Sequence, residues 1–108
     1  MIKFDEIEEK QIPNFHGGEG VTCAAMFVDD VNRIMRGKLS KGCSIGLHRH
    51  DTSSEILYVL SGQGQTICDG VEERLSAGDC HYCKKGSQHT LINIGEEDLI
   101  FFAVVPQQ

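Results

Sequence analysis

The sequence predicts an all-β fold. It breaks into short runs rich in branched and aromatic residues, glycines punctuate those runs, and no sustained apolar stripe of 3.6-residue period appears. The expected strands are Val21 to Val28, Arg33 to Leu39, Ser44 to His50, Glu55 to Leu60, Gln63 to Cys68, Val71 to Leu75, Cys80 to Lys84, His89 to Ile94 and Asp98 to Val105. Asp69-Gly70 is the strongest hairpin signal, because both residues tolerate the positive φ angles of a two-residue turn. Ala77-Gly78-Asp79 marks another turn. Phe4 to Lys10 can form one helical turn, which Pro13 and the Gly17-Gly18 pair prevent from growing. About nine strands with such frequent turns make a sandwich or a barrel, and composition does not choose between them.

At 108 residues the chain is expected to be one domain with one hydrophobic core, spanning 1–108. The mixture of 40% apolar and 24% charged residues is that of a globular protein rather than a disordered or fibrous one. Leu99 to Val105 is the longest apolar run, too short for a membrane span, and reads as a buried strand. The acidic start, Met1 to Lys10, lacks the pattern of a secretory signal, so a cytosolic location is expected. Ten basic against sixteen acidic residues give a formal charge of −6, which argues against nucleic acid and anionic membranes as partners. Five cysteines are an odd number, and they read as reduced thiols.

His48-Arg49-His50 carries the most chemical information. On a strand, residues i and i+2 face the same way about 6.5–7 Å apart, so two imidazoles converge, whereas on a helix they would diverge by about 200°. Glu55 follows at the head of an apolar run, where an inward carboxylate is costly unless it meets a proton, a cation or a metal.

Gly42, His48, His50, Glu55 and Gly62, with five, one, four and six residues between them, resemble the first cupin motif throughout 42–62. Gly78, Lys84, Gly86, His89 and Asn93, with five, one, two and three between them, resemble the second motif over 78–93, with Lys84 where that family usually has proline. The chain is therefore identified as similar to a small cupin. The resemblance implies a double-stranded β-helix, or jelly-roll barrel, with His48, His50, Glu55 and His89 as ligands of a divalent metal. Such a set leaves the site one net positive charge and, in an octahedral shell, two open positions. Iron, manganese, nickel, zinc and copper all remain open, although a structural zinc would favour a closed tetrahedral set, often with thiolate.

Other polar residues have plainer readings. His16 and His81 read as solvated or hydrogen-bonded histidines. Cys80 and Cys83, at i and i+3 on a strand, should point to opposite faces and not pair, and Cys23, Cys43 and Cys68 read as small buried side chains. Tyr82 shares parity with Cys80, so either can line the barrel interior. Arg36, Lys38 and Arg49 can meet an anion but are expected to be solvated.

The resemblance implies a metal-dependent enzyme, of oxygenase, isomerase or lyase type, acting on a small chelating substrate. The site would have an apolar, enclosed wall, and Glu55 would be both a ligand and a proton acceptor. A binding or sensing module using the same pocket is the alternative. A homodimer is expected from the resemblance and from the edge of the apolar strand Leu99 to Val105.

Overall fold

The computed structural model describes residues 1–108 as two facing antiparallel sheets. The strands are β1 (Lys10–Pro13), β2 (Val21–Val28), β3 (Asn32–Leu39), β4 (Ser44–Arg49), β5 (Glu55–Ser61), β6 (Gln63–Cys68), β7 (Val71–Ser76), β8 (Cys80–Cys83), β9 (Gln88–Asn93) and β10 (Leu99–Pro106). One sheet has the order β1-β2-β3-β10-β5-β8 and the other β4-β9-β6-β7. This is the expected jelly-roll. No helix is long and apolar enough to cross a membrane. Two short 3-10 turns, Phe4–Glu6 and Phe15–Gly17, are the only helical pieces, so the early turn is shorter than Phe4 to Lys10.

Alternation sets the faces. In β3 the inward residues are Met35, Gly37 and Leu39, and in β5 they are Glu55, Leu57 and Val59. Of these, Met35, Leu39, Leu57 and Val59, together with Ile45, Leu91, Leu99 and Phe101, form most of the hydrophobic core between the sheets. Gly37 is required by packing, since a Cβ there would run into the Phe101 ring that lies across it.

Leu99 to Val105 forms the expected strand: Leu99, Phe101, Ala103 and Val105 face the core and are buried, while Ile100, Phe102 and Val104 are half-buried on the outer face. One expectation about it is corrected, for it is not an edge: β10 pairs with β3 on one side and β5 on the other. An exposed apolar cluster lies beside it, where Ile56, Tyr58 and Leu60 of β5 and Tyr82 of β8 face outward.

The turns follow their chemistry. Asp69 and Gly70 take φ values of 49° and 82° and close the β6–β7 hairpin at the Cys68–Val71 pair. Asp69 also accepts from the amide of Gln88, tying this hairpin to the start of β9; that bond holds its carboxyl below the usual range.

Candidate metal centre

β4 turns His48 to the interior by means of a bulge, and His50 follows directly after the strand ends. The register of β4 against β9 shifts between Ile45 and His48. In an unbroken strand these two residues would face opposite ways, and the shift lets both Ile45 and His48 turn inward. Gly46 occupies the bulge because a Cβ there would strike the His16 carbonyl and the Gly18 amide, both backbone atoms that cannot swing aside. Gly46→Ala is therefore expected to cost about 1–3 kcal/mol of stability in denaturant melts, as overpacking does. It should also displace the His16 turn, which histidine NMR shifts would register.

β5 opens with Glu55, and β9 sets His89 directly across from His48. The loop before His89 needs no proline at Lys84. Ser87 donates to the Lys84 carbonyl at 3.0 Å, Gly86 donates to His50 O at 2.6 Å and takes a φ of 87°, and His50 N donates back to Ser87 O at 3.0 Å. Asn93, the last residue of the second motif, is structural. Its side-chain amide donates to the Leu39 and Glu97 carbonyls, and its oxygen accepts from Gly95.

The ligating atoms of His48, His50, Glu55 and His89 all lie within 4.8 Å of one another, and the group can hold a metal ion. His50 Nε2 and His89 Nε2 each stand 3.0 Å from Glu55 Oε1. His89 Nε2 is 3.1 Å from both His50 Nε2 and His48 Nε2, and His48 Nε2 is 3.8 Å from Glu55 Oε1. Donors about 2.1 Å from one ion are about 3.0 Å apart at adjacent octahedral positions and about 3.4 Å apart in a tetrahedron. The four closest separations match the octahedral spacing.

The far side of each ring supports the same conclusion. His48 Nδ1 lies 2.8 Å from the Gly46 carbonyl, which only accepts, so Nδ1 carries the proton and Nε2 presents its lone pair. His50 Nδ1 meets Ser53 Oγ at 3.0 Å, and His89 Nδ1 meets His81 Nε2 at 3.0 Å. Three imidazoles thus aim Nε2 at one point while Nδ1 is engaged elsewhere. This is the arrangement a cation requires, and the donor set fits a divalent ion. For Glu55, burial pushes the carboxyl up, but its contacts with His48, His50 and His89 outweigh that and hold it well below the usual carboxylate range, which requires a proton or a cation between the imidazole nitrogens and the carboxylate.

The structure also places around this cluster residues that sequence reasoning set aside. The rings of Phe15, His16 and His48 stack in series, with centroids 4.3 and 4.1 Å apart. His16 holds a left-handed φ of 52°, and burial, reinforced by the His48 and Arg33 charges, brings its pKa down to about 4. His81 is buried against His89. Arg33, not singled out in the sequence, faces the same cavity as His16, His48 and His50. Its signal was present, since Arg33 shares strand parity with the inward Met35 and Leu39.

Arg36 and Lys38 have the opposite parity. Arg36 pairs with Asp5 at 2.9 Å and lies over the Phe4 ring, away from the site. Arg49 reaches the rim, where it donates to the Gly86 carbonyl. The cavity, about 320 Å³, is not the apolar, enclosed one expected. Val28 and Val105 are its only apolar residues, because the β2–β3 turn with Asp29 and Asp30 forms part of its rim.

Parity in β8 turns His81 and Cys83 inward and Cys80 and Tyr82 outward. Cys80 and Cys83 thus diverge as expected, and neither Cys80 nor Tyr82 lines the interior. All five cysteines are free, though Cys23, Cys43 and Cys68 are only half-buried. Burial pushes the Cys83 thiol up to about 12, which leaves it protonated and inert at neutral pH.

The fold and the His/Glu cluster place this chain among the cupins. The family model for the cupin domain matches residues 35–105, and the chain belongs to that family. The oxalate-binding protein of Thermotoga maritima is 32% identical over 111 residues, covering 97% of this chain and 92% of its own. The crystal structure of a predicted oxalate decarboxylase from Thermotoga maritima superposes with a TM-score of 0.94 at 32% identity, covering 100% of this chain and 99% of that one. An RmlC-like cupin from Shewanella frigidimarina, at 18% identity and a TM-score of 0.82, covers 100% of this chain and 90% of its own, and shares the fold.

Proposed function

We propose that this cupin holds one divalent ion through His48, His50, Glu55 and His89 and receives a small, metal-chelating carboxylate at that ion. The observation that carries this reading is the convergence of the four donor atoms beneath a polar mouth that contains Arg33. Oxalate is the type of ligand that fits. Its two carboxylates chelate through one edge and leave an outer edge for a guanidinium, and the name of the Thermotoga relative supports that choice.

A bound divalent ion supplies Lewis-acid polarisation of the chelated carboxylate. The chain's own residues do the rest. Arg33 orients and neutralises the anion, and His16, packed on His48, limits the width of the mouth. The contacts of Glu55 with the three imidazoles all fall on Oε1, so Oε2 is the atom that accepts a proton in a lyase, isomerase or oxygenase reaction.

Binding without turnover is the second reading, favoured by the few other proton carriers at the mouth. Apart from Asp30 on the rim there are Asp29, whose Oδ1 already accepts from the amides of Val31 and Asn32, and His16, which is neutral at physiological pH. The test is elemental analysis of anaerobically purified protein, followed by calorimetric titration with oxalate and assay of the recovered ligand. About one ion per chain and oxalate binding only to the loaded protein are expected. Consumption of oxalate establishes the enzyme, and its recovery unchanged establishes the binding module. Wild-type protein that takes up no metal on reconstitution overturns the proposal.

We also propose that residues 1–108 act as one cytosolic domain that dimerises through the outer face bearing Ile56, Tyr58, Leu60 and Tyr82. Light scattering is expected to give twice the chain mass at micromolar concentration, and Tyr58→Glu with Tyr82→Glu to give a monomer. A monomeric wild type refutes the dimer.

A further inference from the structure

His81 is buried, belongs to none of the ligand positions, and is placed with unusual specificity. It sits on β8, at the edge of the six-stranded sheet, yet its side chain crosses the interior to the four-stranded sheet. There its Nε2 lies 3.0 Å from His89 Nδ1, and the two rings stack at 26° with centroids 5.2 Å apart. Its other nitrogen, Nδ1, has no hydrogen-bond partner within ordinary geometry, but Glu73 Oε1 of β7 stands 3.5 Å away. Glu73 is exposed and lies outside the cavity mouth.

The protons along this row follow from the first ring. With a cation held by the cluster, His89 Nε2 faces it as a lone pair, so Nδ1 carries the hydrogen and donates to His81 Nε2. His81 Nε2 is then an acceptor, its own hydrogen must sit on Nδ1, and Nδ1 faces the Glu73 carboxylate. Each ring has one tautomer consistent with its neighbour. A buried imidazole with an unmade bond would be a poor choice for packing alone, since a phenyl ring fills the same space without the desolvation cost.

We propose that His81 and Glu73 are positioning residues for His89, forming a carboxylate–imidazole–imidazole row that fixes the tautomer of His89 and strengthens its Nε2 as a donor. The inference rests on the metal reading proposed above, because a lone pair on His89 Nε2 beside the Glu55 carboxylate presupposes a cation there, and the nitrogen spectra of the metal-free protein test the tautomer separately from metal uptake. Hydrogen-bond partners of this kind typically alter metal affinity by about 10- to 100-fold when removed.

The test uses the full chain with His81→Phe, which keeps the ring volume and loses the acceptor. His81→Gln keeps an acceptor for His89 Nδ1, and Glu73→Gln is exposed and leaves the fold alone. Long-range nitrogen-15 spectra of the metal-free wild type are expected to show His89 in the Nδ1–H form, and His81→Phe to mix the two tautomers. Cobalt(II) affinity is expected to fall about 10- to 100-fold in His81→Phe, to recover most of that loss in His81→Gln, and to fall a few-fold in Glu73→Gln. The visible bands of the cobalt form should shift in step.

Unchanged tautomer and unchanged cobalt affinity in His81→Phe overturn the row and leave His81 as packing. If His81→Phe does not fold, wild-type affinity in Glu73→Gln combined with an Nε2–H form of His89 in the wild type overturns it. Failure of the wild type to bind cobalt counts against the metal reading, and the nitrogen spectra then decide the row alone.

Discussion

Replacing His48 and His50 together by alanine is expected to reduce bound metal from about one ion per chain to less than about a tenth of that, by elemental analysis after identical purification. Two of four donors are lost, and the survivors, Glu55 and His89, form one edge of a coordination shell. The fold should persist, because the backbone bonds of His50 to Ser87 and Gly86 do not involve its side chain. A cost in the metal-free protein is nevertheless expected. Glu55 is 4% exposed, and two of the three imidazoles that hold it ionised are gone. Its folded pKa must therefore rise, and at neutral pH the ionised carboxylate becomes a destabilising group where it was a stabilised one. A loss of about 1–3 kcal/mol is expected in chelator-treated samples. Adding Glu55→Gln to the double variant should return part of it. If the double variant keeps its metal, the four-residue cluster is not the site; if Glu55→Gln returns nothing, the carboxylate was not ionised there.

Most of the fold was legible because it depends on local alternation and turn chemistry. The bounds of β2 and β6 coincide with those expected, and most others shift by only a residue at either end, as strand ends do when pairing rather than side chains ends them. β1 was not legible. Lys10–Pro13 is mostly exposed and shows no alternation, and it is a strand because the edge of β2 offers it bonds. The four clustered residues were legible from two spaced motifs, but the bulge that turns both Ile45 and His48 inward was not, since it arises from close approach of Gly46 to Gly18 across the chain. The same contact brings His16 onto His48, and no local pattern encodes it. Arg33 is different, because its strand parity with Met35 and Leu39 already pointed inward although the residue was not singled out. In β8 parity alone does not choose a face: the sequence offers Cys80 and Tyr82 as the inward pair, and the usual exposure of a histidine argues for His81 outside.

Arg33 carries the other large expected effect. Its Nε is buried without a partner, and unpaired buried donors cost about 1–3 kcal/mol each, so the side chain is retained against stability. Arg33→Met should accordingly leave the melting temperature unchanged or raise it, and leave metal content unchanged, since no ligand is touched. Oxalate affinity of the loaded protein should fall about 10- to 100-fold, the equivalent of one charge-assisted hydrogen-bonded contact. Arg33→Lys is expected to recover only part, because an ammonium cannot match two carboxylate oxygens with a planar fork. Arg36→Met serves as the control, for it removes an equal charge from the outer face where Arg36 pairs with Asp5. A long-range field effect would weaken oxalate in both variants alike, whereas a direct contact weakens it in Arg33→Met alone. Equal affinity in Arg33→Met and wild type removes Arg33 from the mouth's chemistry and leaves anion binding to the ion and its four ligands.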